Sequence, residues 1–357
     1  MMPGTAKLLS MATALPEHRL SQEWVRDWAH RHFGSRGFPI TALLSAYDNA
    51  GVEERWAAMP PEWYGQPHGW IERSDIYSRI GLDLMEAAAR DCLTAAGMEA
   101  SDVDSLLFIS STGVATPSLD ALLMDRLPFR EDVQRLPVFG LGCAGGVIGL
   151  GQAAGLAEAQ PGKRVLLLAL ELCSLNFRED DLTKGNVIAT VLFGDGAAAA
   201  LVSCDGPDAA PRLTASAQHR WPESRGVMGW SIEEDGLGVI FSRDIPAIIR
   251  SDARSVVEKF LEDRGMTSND IVHTACHPGG AKVVSALEAV LQRQQGDLQH
   301  EREVLRKFGN MSSPTALFVL SHLLEAEDWE LKGPTFSLAL GPGFTCAQQL
   351  LEPGHRA

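Results

Sequence analysis

The chain is 357 residues long, 45% hydrophobic and 22% charged, enough for one large core or two fused ones. Its formal net charge of -15 and pI of about 5.1 repel a phosphodiester backbone, and no Lys/Arg-rich run offsets that, so nucleic acid is excluded as a partner. The six cysteines (92, 143, 173, 204, 276 and 346) are scattered, which argues against a zinc site and a disulfide framework and fits a reducing cytoplasm.

The opening MMPGTAKLLSMATALPEHRLS meets Pro, Glu, His and Arg too soon for a leader, and no apolar run is long enough to span a bilayer. An unexported, cytoplasmic protein without membrane insertion is therefore expected. Residues 77–99 carry apolar residues at helical spacing up to Gly97, and SDVDSLLFISSTG then reads as a capped turn and a buried strand. Next comes FGLGCAGGVIGL (139–150), with Cys143 among five glycines, followed by a small-residue segment that suits a closely packed helix. KRVLLLALEL is a continuous apolar run of strand length.

ATVLFGDGAAAALVS (189–203) and FSLALGPGFTCAQQLL (336–351) each read as strand, G-x-G turn, strand, and each closes a half-chain. A second echo links DSLLFISSTG with DIVHTACHPGG. Together they indicate two similar α/β halves, 1–205 and 206–357, with CDGPDAAPR as the linker.

Three motifs carry chemistry. Cys143 precedes a helix whose positive end favours the thiolate, His277 stands where a strand stops at Pro-Gly-Gly, and Asn310 occupies a Gly-Asn turn before an apolar helix. Thiol, imidazole and carboxamide together suit carbon–carbon bond formation from thioesters.

With GCAGG at Cys143, LFGDGAAA at 192–199, HPGGAK from His277, GNMSS at Asn310 and GPGF at 341–344, the chain resembles the chalcone synthase family, the type III polyketide synthases of the thiolase-like superfamily. The resemblance implies a five-layered αβαβα fold of two similar halves, a homodimer, and substrates that are acyl-CoA and malonyl-CoA, with no carrier protein and no cofactor beyond the CoA thioesters. It makes Cys143 the nucleophile, and His277 Nε2 and the Asn310 amide the donors to the enolate oxygen. Phe193 becomes an aromatic gatekeeper, with Val239 where plant members carry a second phenylalanine. Cys173, Asn176 and Ser312 are expected to line the substrate pocket, while Ala339 replaces a glycine before the cyclisation loop. Arg55 and Lys282 are expected to hold CoA phosphates, with Gly280 allowing close backbone approach. The GCAGG, ELCSLNF and MGW segments resemble bacterial members that take long fatty acyl starters and make alkylpyrones or alkylresorcinols. Two other readings stay open: a ketoacyl synthase of fatty-acid initiation, and a non-catalytic acyl-CoA-binding protein.

Overall fold

The computed structural model describes residues 4–354. Its first half contains β1 (Lys7–Ala14), α1 (Gln22–Ser35), α2 (Trp70–Ala95), β2 (Ser105–Ser110), β3 (Gln134–Phe139), α3 (Gly145–Ala159), β4 (Arg164–Leu172), α4 (Lys184–Leu192) and β5 (Asp195–Ser203). The second contains β6 (Arg212–Arg220), β7 (His273–Thr274), α5 (Ala281–Val290), α6 (Gln299–Phe308), α7 (Ser313–Ala326), β8 (Thr335–Gly341) and β9 (Thr345–Glu352).

The strands lie in the order β7-β8-β9-β6-β1-β5-β4-β2-β3. Pairing is repeated: β1 runs antiparallel to β5, β5 antiparallel to β4 and β4 parallel to β2, just as β6 runs antiparallel to β9, β9 antiparallel to β8 and β8 parallel to β7. The sheets of the two halves join into one nine-stranded sheet where Lys7 pairs with Arg212. The first sheet adds β3 beside β2, and the second has no matching strand among the described residues.

Helices α3 and α7 form the middle layer, with α3 touching strands of both sheets. Helix α2 covers the outside of the first sheet, and α5 with the 254–262 helix covers the second. Strand β4 shows why its run is wholly apolar: Val165, Leu167 and Ala169 face the middle layer, and Leu166, Leu168 and Leu170 face the outer one. The glycines of α3 have a packing reason, since a Cβ at Gly146 would stand 2.3 Å from the Ser313 carbonyl oxygen of α7. This is the five-layered αβαβα fold.

One expected echo fails. Residues 335–352 do form a hairpin, but 184–192 are helical and only β5 follows. The glycines at 194 and 196 permit close packing rather than a turn: a Cβ would meet the Phe308 carbonyl oxygen at 2.4 Å and Met311 Sδ at 2.7 Å, respectively. No described helix is long and apolar enough to cross a membrane.

Candidate active site

Cys143 occupies a tight turn, Gly142–Ala144, immediately before α3. Gly142 has φ +49°, and a Cβ on it would lie 2.6 Å from the Pro342 ring. Gly341 is as constrained, with the Leu141 carbonyl oxygen 2.6 Å from where its Cβ would be. The GPGF loop of the second half thus lies directly on the turn that carries the thiol.

Asn310 comes from the short connection between α6 and α7. Its Oδ1 accepts from the Ser312 N–H at 2.8 Å and lies 3.9 Å from Cys143 Sγ, which leaves Nδ2 turned toward the Gly279 carbonyl oxygen at 3.5 Å. Ser312 itself takes φ +60°, a conformation that aims its N–H at the amide. His277 follows β7, and neither ring nitrogen has a hydrogen-bond partner among the described residues. His277, Gly279 and Asn310 line a small cavity with Met228, Phe241 and Leu340. Cys143, His277 and Asn310 are 6%, 4% and 0% exposed.

Burial sets the charges. It pushes the Cys143 thiol up to about 12, outweighing the contact with Ser312 that favours the thiolate, and pushes His277 down to about 3. Burial therefore favours a neutral thiol and a neutral imidazole. Burial thus opposes the thiolate that a helix end favours.

A residue the sequence reading missed stands behind the thiol. Glu171, at the end of β4, is fully buried and accepts from the Ser111 N–H at 2.9 Å, the Thr112 hydroxyl at 2.8 Å and the Ser313 hydroxyl at 2.8 Å. Burial raises it to about 7, and its charge disfavours the Cys143 thiolate. The signal was present: one acid inside a continuous apolar strand.

Phe193 is tied to the catalytic loop through the backbone, with the Asn310 N–H on the Leu192 oxygen at 2.8 Å and the Gly194 N–H on the Asn310 oxygen at 3.0 Å. Its ring contacts Trp230 and Phe241 at 6.3 and 6.4 Å between centroids. Val239 pairs with Trp230 in the hairpin formed by 228–232 and 237–241, so Trp230 and Phe241 place aromatic bulk beside Phe193.

Beyond Phe193 lies a second, apolar cavity. Cys173, Asn176 and Val239 line it, and Trp24 and Trp28 of α1 form its far wall. Asn176 is held by its Nδ2 donating to the Thr112 carbonyl at 2.8 Å. Ala339 is buried in β8 against Ala144 and Val147.

Of the residues expected to hold CoA, Lys282 is exposed in the first turn of α5. Gly280 has φ +153°, and Leu192 would stand 3.3 Å from a Cβ there. Arg55 is corrected. It is 4% exposed, and its guanidinium donates to the carbonyls of Thr190 at 2.7 Å, Val191 at 3.0 Å and Phe193 at 3.1 Å, and to Gln22. With both terminal nitrogens engaged inside the protein and its Nε buried, it braces the end of α4 and is turned away from any phosphate outside.

A family model described as the N-terminal domain of chalcone and stilbene synthases matches residues 1–206, and that of their C-terminal domain matches 212–353. The chain is 38% identical over 353 residues to a Bacillus subtilis (strain 168) protein named after chalcone synthase, covering 95% of this chain and 96% of that one. It is 36% identical over 359 residues to a 1,3,6,8-tetrahydroxynaphthalene synthase of Streptomyces peucetius subsp. caesius, covering 98% and 93%. The crystal structure of the 1,3,6,8-tetrahydroxynaphthalene synthase of Streptomyces coelicolor A3(2) superposes with a TM-score of 0.92 at 26% identity, covering 98% of this chain and all of that one.

Proposed function

The chain belongs to the chalcone and stilbene synthase family, the type III polyketide synthases, and on that premise we propose that it extends a medium- or long-chain fatty acyl group with malonyl-CoA and cyclises the product to an alkylpyrone or alkylresorcinol. The observation that supports the choice of starter is the apolar lining of the cavity beyond Phe193, where Trp, Leu and Val side chains suit a hydrocarbon tail.

In this reading Cys143 attacks the acyl-CoA carbonyl as its proton passes to His277, and the departing CoA thiolate takes that proton. Malonyl-CoA then loses carbon dioxide, and the electron pair of the broken C–C bond becomes an enolate whose oxygen is held by His277 and the Asn310 Nδ2. Both donors are buried and neutral, so water does not compete for the oxygen. The enolate carbon attacks the Cys143 thioester, the sulfur leaves, and the β-ketoacyl-CoA returns to Cys143 for another round. Lys282 holds a CoA phosphate at the mouth.

A homodimer is part of the proposal. Strand β3 is the unpaired edge of the first sheet and ends at Phe139, which is 60% exposed and runs straight into the Cys143 turn.

A second reading is favoured by the 36% identity to a 1,3,6,8-tetrahydroxynaphthalene synthase over nearly the whole chain: a tetrahydroxynaphthalene product. One experiment separates the two. Mass spectrometry of reactions with malonyl-CoA and a panel of acyl-CoA starters, without carrier protein, is expected to show pyrone or resorcinol masses that follow the starter length. A naphthalene product with malonyl-CoA alone supports the second reading, and no polyketide from any mixture overturns both.

A further inference from the structure

We infer that Glu301 is a positioning residue for His277: its buried carboxylate takes the place of a missing strand at the edge of the second sheet and fixes the backbone N–H just before the imidazole. Residues 275–277 prolong β7 along β8, with the Ala275 N–H on the Phe336 oxygen at 3.0 Å and the His277 N–H on the Leu338 oxygen at 2.7 Å. Successive N–H groups of an extended strand point to opposite sides, so the Cys276 N–H faces away from β8. In the first half the matching side of β2 is occupied by β3. The second half has no strand there among the described residues, and Glu301 Oε1, from α6, accepts the Cys276 N–H at 2.9 Å.

Three facts make this more than local packing. Glu301 is fully buried, a costly place for a carboxyl group that makes few bonds. Its Oε2 makes no hydrogen bond, although the Thr274 hydroxyl is close enough to favour the charged form. The imidazole of His277 has no hydrogen-bond partner among the described residues, so the hydrogen bonds nearest it are the two backbone bonds at residues 276 and 277. Helix α6 also ends directly before Gly309 and Asn310, so the Glu301 bond ties the helix that leads to one oxyanion donor to the strand that carries the other.

The inference rests on the condensing role proposed above, and the test separates the two. In the full-length protein Glu301→Gln keeps an acceptor of equal reach, whereas Glu301→Asp keeps the charge but withdraws it by one methylene. Glu301→Asp is expected to lower kcat about tenfold or more with KM little changed, because a small displacement of a reacting group costs rate. It is also expected to speed amide hydrogen exchange at Cys276 by about tenfold or more. Glu301→Gln should stay within about threefold of the wild type in both. Wild-type kcat and exchange in Glu301→Asp, or an equal loss in Glu301→Gln, overturns the inference. If the wild type makes no polyketide, the proposed function fails, and the exchange measurement, which needs no substrate, still decides on Glu301.

Discussion

Cys143 Sγ and Asn310 Oδ1 lie 3.9 Å apart, although 167 positions separate them in the chain and each belongs to a different half. The Ser312 N–H holds the same oxygen, so the amide cannot turn over without losing that bond, and its Nδ2 is left for an enolate. Cys143→Ala should therefore abolish polyketide formation yet leave malonyl-CoA decarboxylation, which needs only the two donors. Asn310→Asp should cut decarboxylation by roughly 10²- to 10³-fold, since a carboxylate repels the enolate. Carbon dioxide release from labelled malonyl-CoA reads both, and equal loss in the two variants contradicts the division of labour.

The buried Cys143 thiol has its own signature. With the thiol held near 12 by burial, alkylation of Cys143 by iodoacetamide should keep climbing from pH 6 to 9. A plateau reached near neutrality would mean a preformed thiolate–imidazolium pair instead.

Buried carboxyls set the pH dependence of stability. Burial raises Glu171 and Glu301 to about 7 in the folded chain, so their contribution is complete below the unfolded carboxylate range and is lost as pH rises through about 7. His277 acts in the opposite sense, but only below its unfolded value of 6.5. Between pH 6.5 and 8 the two acids should together reduce stability by about 1–2 kcal/mol. Thermal unfolding across that interval checks the sign, and Glu301→Gln should flatten the slope.

The far wall of the apolar cavity should govern starter length. Cys173→Phe narrows the cavity and is expected to lower kcat/KM for long acyl-CoA starters by roughly tenfold to a hundredfold while sparing short ones. Trp28→Ala should shift the preference to longer chains. Parallel losses for all starters would separate this cavity from the acyl chain.

Arg55 and Lys282 should part company. Arg55→Met leaves three carbonyls without their donors and is expected to cost about 2–4 kcal/mol of stability, with no change in the KM for CoA thioesters at temperatures where it is folded. Lys282→Ala should leave the melting temperature alone and raise that KM severalfold.

The order of motifs was enough to name Cys143, His277 and Asn310 and to expect two layered α/β halves, because strand runs buried on both faces and glycines forced by close backbone approach leave a direct imprint on composition. The same imprint misled at GDG, where the glycines answer to Phe308 and Met311 across the fold rather than to a turn. Charge state, and the parts played by Arg55, Glu171, Trp230 and Glu301, were decided only by tertiary structure. Each depends on how deeply a group is buried and on which carbonyl or N–H, from a distant segment, is brought against it. Desolvation and hydrogen bonding act through space, and neither can be read from neighbours along the chain.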